Sequence, residues 1–154
     1  MPEDRATLSC GCFWGVQARF DVLEGVIKTK VGYTGGHTQD PCYEQVCRGE
    51  TGHAEAIEIL YISEILTFEA LLTLFFQTHD PTTYHQQGPD IGSQYRSAIF
   101  YHTEQQKKEA FQMLNKMSPH FSHQIVTEIK QASEFYPAEE YHQYYYKKHP
   151  NACY

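Results

Sequence analysis

The sequence predicts an α+β fold: a two-layer sandwich of one sheet and its helices, built on a ferredoxin-like βαββαβ core. The first observation is the order of apolar patterns along the 154 residues, which reads β-α-β-β-α-β-α-β. The second is that two βαβ-like units are joined by a pair of strands, which is typical of a ferredoxin-like core. No repeat or linker divides the chain, so we expect residues 1–154 to form a single domain.

The first predicted unit is a strand, a helix and a second strand. Residues 6–9 indicate a short strand, and an apolar stripe predicts a helix that starts near Cys12 and ends at Gly25. Residues 26–33 alternate between apolar and polar side chains and predict the second strand. Residues 37–53 are rich in Gly, Pro and polar residues, and we expect them to form a loop.

The second predicted unit repeats this order. Residues 54–62 predict a strong strand, and Thr67 is expected to cap the helix that follows. Residues 80–94 predict a second polar loop, and residues 96–102 predict the next strand. Structureless loops of this length in a small domain are usually functional or disordered, so both loops are candidates to supply site residues.

The rest of the chain predicts a helix, a last strand and a short terminal helix. Thr103 and Gln106 stand at capping-box spacing at the start of the helix. Residues 124–130 predict the strand, and residues 138–148 predict the terminal helix. The apolar residues that the capped helix is expected to bury are Ala110, Phe111, Leu114 and Met117.

Composition and charge argue against several kinds of partner. The formal net charge is −7, which disfavours nucleic acid and an anionic membrane surface. The longest apolar stretches, such as residues 71–76, are too short to span a bilayer, and no signal-peptide pattern begins the chain. Five cysteines without a secretion signal are more typical of catalytic or metal-binding thiols in a reducing cytosol. We therefore expect a cytoplasmic protein, with a monomer as the simplest assumption.

Cys12 is the first candidate for a reactive residue. It stands at the predicted start of a helix, where free N–H groups and the helix dipole favour a thiolate and lower its pKa from about 8.5. Phe13 and Trp14 place two apolar rings beside the sulfur. The alternative is a buried structural cysteine with two core aromatics, and the residues alone leave both interpretations open.

Strand alternation singles out two further residues. Glu55 shares a face with the apolar residues of the strand 54–62, so we expect a buried carboxyl group with a raised pKa. A protonated Glu beside a thiolate would pair an acid with a nucleophile. Tyr95 is expected to begin the next strand, on the same face as Ser97 and Ile99. The alternatives are a strand-end Glu that reaches water and an ordinary core tyrosine.

Six segments of the chain match one known family in order. They are GCFWG (11–15), VGYTGG (31–36), TGHAE (51–55), HDPT (79–82), QGPDIGSQYRS (87–97) and YHQ (141–143). Together they resemble the A-type methionine sulfoxide reductases, and the resemblance covers nearly the whole chain. It implies an α+β fold with a ferredoxin-like core. It also implies reduction of the S epimer of methionine sulfoxide, free or within oxidised proteins.

The resemblance implies a role for each candidate residue. Cys12 is the implied nucleophile on the sulfoxide sulfur, and Glu55 is the implied acid that protonates the leaving oxygen. Tyr43 and Tyr95 are implied to hydrogen-bond that oxygen, and Asp90 to organise the site. Sulfoxide oxygen is a poor leaving group unless it is protonated, so this chemistry requires an acid. The implied pocket for the terminal methyl group of the substrate is formed by Phe13 and Trp14.

The implied regeneration step uses a second thiol and neither a metal nor a cofactor. Oxygen transfer leaves a sulfenic acid at Cys12, and Cys153, in a tail expected to be mobile, matches the cysteine that condenses with it. Thioredoxin or a similar dithiol would then reduce the disulfide. Residues 1–154 would form a single catalytic domain. The alternative resolving thiols are Cys10, Cys42 and Cys47.

Three other functions fit parts of the sequence. A zinc-binding module could use the five cysteines and nine histidines, but no paired C-x2-C motif occurs. A general disulfide oxidoreductase could use Cys10 and Cys12, although such enzymes typically carry Cys-x-x-Cys. A protein-binding module could use the tyrosines of residues 141–146, which an amphipathic helix on the core explains more simply.

Overall fold

The computed structural model describes residues 3–150, which contain eight strands and five α-helices. The strands are β1 (Glu3–Cys10), β2 (Val26–Thr34), β3 (Ala54–Ile62), β4 (Gln86–Gln87), β5 (Asp90–Ile91), β6 (Ser97–Tyr101), β7 (Glu128–Gln131) and β8 (Tyr136–Pro137). The helices are α1 (Phe13–Phe20), α2 (Tyr43–Cys47), α3 (Phe68–Thr78), α4 (Glu104–Met117) and α5 (Tyr145–Lys148).

The main sheet has six strands in the order β7-β6-β1-β3-β2-β8. β6 and β7 run parallel, and every other neighbouring pair is antiparallel. A mixed sheet with packed helices confirms the predicted α+β class. β4 and β5 form a separate two-stranded hairpin within the second predicted loop.

The register of the central strands brings a carboxyl group to the end of β1. Leu8 of β1 pairs with Ile57 of β3, and Tyr33 of β2 pairs with Glu55 of β3. β1 and β3 are antiparallel, so a step towards the N-terminus of β3 matches a step towards the C-terminus of β1. Continuing the register by two residues from the Leu8–Ile57 pair places Glu55 opposite Cys10. Glu55 therefore lies beside the C-terminal end of β1.

The helices pack on this sheet and on each other. α1 packs on β2 and β3, α3 on β1 and α4, and α4 on β6 and β7. Thr67 caps α3 as predicted, because its Oγ1 accepts the N–H of Ala70 at 3.1 Å. None of the helices within residues 3–150 is long and apolar enough to cross a membrane. The buried face of α3 consists of Phe68, Leu71, Leu72, Phe75 and Phe76.

Several predicted boundaries agree with the structure. β3 spans the nine residues predicted for it, and β2 extends one residue beyond its prediction. At the start of α4, Thr103 Oγ1 accepts the N–H of Gln106 at 3.1 Å, which confirms the predicted cap. The return contact differs from a capping box, because the Gln106 side chain accepts the N–H of His102 at 2.8 Å.

Both predicted loops contain regular structure that the sequence pattern did not indicate. α2 lies within residues 37–53, and the hairpin of β4 and β5 lies within residues 80–94. The prediction that these segments are loop throughout is therefore wrong. A five-residue helix and two-residue strands are too short to display a hydrophobic period, so only their tertiary contacts reveal them.

Three predictions about element ends and faces are wrong. α1 ends at Phe20, and Gly25 lies beyond it with a φ of +98°. Tyr95 ends a 3-10 turn before β6, so it does not lie in the strand or share its face. Phe111 is 47% exposed, because the face of α4 that packs on the protein contains Ala110 and Met113 and leaves Phe111 to one side. The residues that α4 buries are Gln106, Ala110 and Met113.

The C-terminal segment also differs from its prediction. The last long strand begins later than expected, because β7 starts at Glu128. The single helix predicted for residues 138–148 is divided into a 3-10 turn, Glu140–His142, and the short α5. Tyr144 separates the two with a φ of +53°, a left-handed conformation that cannot continue a right-handed helix.

Candidate active site

Cys12 lies at the junction between β1 and α1. β1 ends at Cys10, and Gly11 turns the chain with a φ of +107°, which residues other than Gly rarely adopt. Cys12 is the N-cap of α1, and although its side chain accepts no capping hydrogen bond, the backbone N–H groups of Trp14 and Gly15 lie close enough to lower the pKa of its thiol. The thiol is partly buried. The structure therefore places Cys12 at a helix N-terminus, as the sequence predicts.

The predicted lowering of the Cys12 pKa is wrong for this structure. Burial, with smaller contributions from the charges of Glu55 and Asp90, raises the pKa of the thiol to about 11. The N–H groups of Trp14 and Gly15 lower it, but by less. Desolvation and two nearby negative charges thus outweigh the helix N-terminus that the sequence reveals.

Glu55 is the buried carboxyl group of this site. Only 1% of the residue is exposed, on the apolar face that strand alternation predicts. Its Oε1 accepts the N–H of Phe13 at 3.1 Å, whereas Oε2 is buried and has no hydrogen-bond partner among residues 3–150. Burial raises the Glu55 pKa to about 8, although the Phe13 N–H opposes this shift. The carboxyl group therefore carries a proton at neutral pH, and Oε2 is free to donate it.

Trp14 is fixed by contacts on its edge and on its face. Its Nε1–H donates to Nδ1 of His142 at 2.9 Å, and its ring stacks on Tyr145 with centroids 3.8 Å apart and planes 7° apart. Phe13 lies beneath, 5.7 Å from the Tyr33 ring and 5.2 Å from the His142 ring. The two aromatic residues after Cys12 therefore form a rigid apolar wall.

His142 lies at the centre of the aromatic cluster, and the residue pattern did not single it out. It is fully buried, and its ring lies 4.5 Å from the Tyr43 ring and 4.1 Å from the Tyr141 ring. Burial lowers its pKa, so the imidazole is neutral. Since Nδ1 accepts from Trp14, Nε2 carries the hydrogen, and this buried Nε2 has no partner among residues 3–150. The only sequence signal for His142 is its place in the YHQ segment.

Glu139 is a second residue that the sequence analysis missed. The hydroxyl of Tyr33 donates to its Oε1 at 2.8 Å, and the backbone N–H of Tyr43 donates to its Oε2 at 3.0 Å. This carboxylate thus connects the start of α2 to β2, although Glu139 lies 96 residues after Tyr43 in the sequence. Nothing near Glu139 in the sequence marks it for this role.

Tyr43, Tyr95 and Asp90 lie close enough to Glu55 for electrostatic interaction, and Tyr95 and Asp90 also lie within this range of Cys12. Burial raises the pKa of both tyrosines, and the Glu55 charge raises both further, so their hydroxyls remain protonated donors. Cys12 and Asp90 also act on the Tyr95 pKa. Two neutral donors therefore lie within electrostatic range of one protonated acid, and the acid and Tyr95 are also within range of the Cys12 thiol.

A cleft of about 190 Å³ opens beside the thiol, between α1, the end of α3 and the β4–β5 hairpin. Asp90 enters it from the hairpin and Arg19 from α1, so the cleft holds charges of both signs. The residues that line it are Cys10, Cys12, Gly15, Arg19, Thr78, Gln87, Gly88, Pro89, Asp90 and Tyr146.

The other cysteines differ in their access to this site. Cys10 is buried, and burial raises its pKa to about 12. Cys42 is partly exposed, and Cys47 is exposed and lies near the hydroxyl of Tyr43. Cys153 lies outside the described residues. Within residues 3–150, no group of three or more His, Cys, Asp or Glu side chains is arranged to hold a metal ion.

Comparison with known proteins identifies the family. A family model described as peptide methionine sulfoxide reductase matches residues 4–154. The chain belongs to the peptide methionine sulfoxide reductase family. It is accordingly an oxidoreductase that reduces methionine sulfoxide.

Individual members of the family match over almost their whole length. The peptide methionine sulfoxide reductase MsrA of Methanococcoides burtonii is 53% identical over 147 residues, covering 94% of this chain and 96% of that relative. Mxr1 from Saccharomyces cerevisiae in reduced form superposes with a TM-score of 0.94 and 37% identity, covering 99% of this chain and 88% of that chain. Mxr1 in complex with Trx2 superposes with a TM-score of 0.67 and 28% identity, covering 98% and 86%.

Proposed function

We propose that this reductase acts on the S epimer of methionine sulfoxide through Cys12, with Glu55 as the acid. The observation that carries the proposal is the buried Oε2 of a protonated Glu55, which has no hydrogen-bond partner in the described part of the chain, residues 3–150, and whose carboxyl group is held near the thiol by the N–H of Phe13. A sulfoxide oxygen at this point would receive the proton that its departure requires.

The proposed reaction transfers one oxygen atom and two electrons. The sulfur of Cys12 attacks the sulfoxide sulfur while Glu55 protonates the oxygen, and the S–O bond of the substrate then breaks. The oxygen passes to Cys12 as a sulfenic acid while the bond between the two sulfur atoms breaks and releases methionine, and the proton of the original thiol restores the Glu55 carboxyl group. Methionine sulfoxide and a thiol thus become methionine and a sulfenic acid, with the substrate sulfur reduced and the Cys12 sulfur oxidised.

The arrangement of the site supports selection of one epimer. The wall of Phe13 and Trp14 suits the terminal methyl group, while Tyr43, Tyr95 and Glu55 offer donors for the oxygen. Because the sulfoxide sulfur is chiral, the opposite epimer would direct its oxygen at the apolar wall. Asp90 organises the donors through its charge. The recognised group is small, so both free and protein-bound methionine sulfoxide are substrates.

Regeneration proceeds through a second thiol and thioredoxin. Cys153 condenses with the sulfenic acid of Cys12, which releases water and forms a disulfide. Thioredoxin or a similar dithiol then reduces the disulfide by exchange, a step supported by the complex of the yeast relative Mxr1 with Trx2. The burial and raised pKa of Cys10 argue against it as the resolving thiol. Cys47 is the stronger alternative, because it is exposed and contacts Tyr43.

We also propose that β6-β1-β3-β2, with α1 and α3, is a ferredoxin-like core. The order of these four antiparallel strands supports this assignment. Residues 1–154 act as a single catalytic domain in a cytoplasmic monomer. The net charge of −7 supports the further proposal that neither nucleic acid nor a membrane is a partner.

The first test is chiral chromatography of racemic methionine sulfoxide after incubation with the protein and dithiothreitol. We expect the wild-type chain to consume only the S epimer, and Cys12→Ser to consume neither. Cys42→Ser is the matched control and is expected to retain the activity. Survival of both epimers with the wild-type chain would contradict the assignment, and loss of the R epimer would reverse the proposed orientation of the pocket.

A further inference from the structure

The side chain of Gln87 is held at both ends of its carboxamide by one backbone residue. Its Oε1 accepts the N–H of Asp80 at 3.0 Å, and its Nε2–H donates to the carbonyl of Asp80 at 2.8 Å. The side-chain amide thus makes the same pair of hydrogen bonds to Asp80 that a neighbouring strand would make in an antiparallel sheet. A methionine of similar length could make neither bond.

The residue that holds Gln87 is itself anchored to the fold. His79 precedes Asp80, and its Nδ1 lies 2.6 Å from the carbonyl of Phe75 in α3. Its Nε2 lies 2.7 Å from Oγ of Ser97 in β6. Burial lowers the His79 pKa to about 4, so this link between helix and sheet stays neutral across the physiological pH range. Asp80 therefore offers Gln87 a fixed point of attachment.

The other end of the Gln87 side chain rests on the Cys12 turn. A Cβ atom added to Gly11 would lie 2.9 Å from Cγ of Gln87, so the methylene groups of Gln87 pack directly on the backbone of Gly11. Gln87 also pairs with Asp90 across the β4–β5 hairpin. The side chain of Gln87 thus contacts the turn that positions Cys12, while its backbone pairs with β5, the strand that contains Asp90.

We infer that Gln87 is a positioning residue that fixes the distance between the carboxylate of Asp90 and the thiol of Cys12. The assignment rests on the proposed roles of Cys12 and Asp90. Within residues 3–150, Asp90 from the hairpin and Arg19 from α1 bring their charges to the cleft, and the carboxyl group of Glu55 in β3 acts on the thiol when it is ionised. Only Asp90 is carried by an element that the Gln87 amide holds in place.

The test compares Gln87→Met with Gln86→Met. The first variant keeps the methylene packing on Gly11 and loses both bonds to Asp80. The second removes an adjacent amide whose one hydrogen bond within residues 3–150 goes to the carbonyl of Gly88. Two quantities are measured: kcat for the S epimer, and the rate at which iodoacetamide alkylates Cys12, read by peptide mass spectrometry.

We expect Gln87→Met to lower kcat about tenfold, because the site loses its alignment. Alkylation of Cys12 at about pH 8 should become about threefold faster, because the Asp90 charge that disfavours the thiolate moves away. Asp90→Asn alone should accelerate alkylation as well, and adding Gln87→Met to it should change the rate no further. Gln86→Met should match the wild-type chain in both measurements.

Several outcomes would overturn the inference. The first is that Gln87→Met and Gln86→Met have the same kcat and the same rate of Cys12 alkylation. The second is that Gln87→Met still accelerates alkylation in a chain that already carries Asp90→Asn. A lower melting temperature with kcat and alkylation unchanged would equally reduce Gln87 to a structural role. If Gln87→Met does not fold, Gln87→Asn, whose shorter amide cannot span from Gly11 to Asp80, takes its place. Alkylation requires no turnover, so failure of the proposed reaction is detected separately, by loss of wild-type activity on the S epimer.

Discussion

The backbone N–H of Phe13 donates to Oε1 of Glu55 at 3.1 Å, across 42 residues of sequence. The same turn that exposes the sulfur of Cys12 therefore also orients the carboxyl group beside it. This bond occupies one carboxyl oxygen and leaves the other, Oε2, without a partner among residues 3–150. The acid and the nucleophile are thus positioned by one short piece of backbone.

Replacing Glu55 should abolish most of the activity without unfolding the chain. Glu55→Gln is nearly isosteric but cannot give a proton to the sulfoxide oxygen, so we expect kcat/KM to fall by about 10²- to 10⁴-fold. The measurement is a single turnover with the S epimer. Glu58→Gln, on the same strand and 23% exposed at its side chain, is the control and should remain within about twofold of wild type. Similar losses in both variants would contradict the role of Glu55.

Glu55 should also make stability depend on pH. Its pKa rises from 4.5 to about 8 on folding, so between these values the folded chain holds a proton that the unfolded chain has lost. The free energy of unfolding contributed by this group is therefore fully present below about pH 4.5 and declines as pH rises towards about 8. Urea unfolding at about pH 5.5 and about pH 8.5 should show a loss of a few kcal/mol in wild type. Glu55→Gln should show a smaller loss, and equal losses would rule out the raised pKa.

The thiol of Cys12 should be unreactive in the free protein. Its pKa of about 11 predicts that alkylation by iodoacetamide keeps accelerating well above about pH 9. Glu55→Gln removes one of the two charges that raise this pKa, so the alkylation profile should move to lower pH. A profile centred below about pH 8.5 in wild type would show that the helix N-terminus outweighs burial after all.

Trp14 should contribute to substrate binding through its fixed ring. Truncation in Trp14→Ala should lower kcat/KM for the S epimer by about 10- to 100-fold, chiefly through KM, because the apolar wall is lost. Trp14→Phe keeps a ring but loses the bond to His142, and should fall between this variant and wild type. Phe111→Ala, an exposed aromatic on α4, is the control. If Phe111→Ala raised KM as much as Trp14→Ala, the effect could not be assigned to the ring of Trp14.

Replacing the resolving cysteine should separate reduction from regeneration. Cys153→Ser should form about one equivalent of methionine per chain and then stop when thioredoxin is the only reductant. Cys47→Ser should turn over normally under the same conditions. The reverse pattern would assign resolution to Cys47, the exposed thiol beside Tyr43.

The sequence by itself determined the features that depend on near neighbours. Alternation in β3 placed Glu55 on an apolar face, and the junction of a strand and a helix placed Cys12 at a helix N-terminus. The cap at Thr67 was readable for the same reason, since its partner lies three residues away. Such features follow from hydrogen bonds and periodicity within a few residues, and the order of the six segments supplied the family.

Only the tertiary structure decided the features that depend on distant parts of the chain. His142 meets Trp14 from 128 residues away, and Glu139 meets Tyr33 from 106. The sign of the Cys12 pKa shift reversed because burial and the charge of Glu55 outweigh the local N–H groups. Desolvation and Coulomb interactions are set by what packs around a group rather than by what precedes it in sequence. No local pattern carries that information, so the chemistry of the site emerges only when the chain has folded.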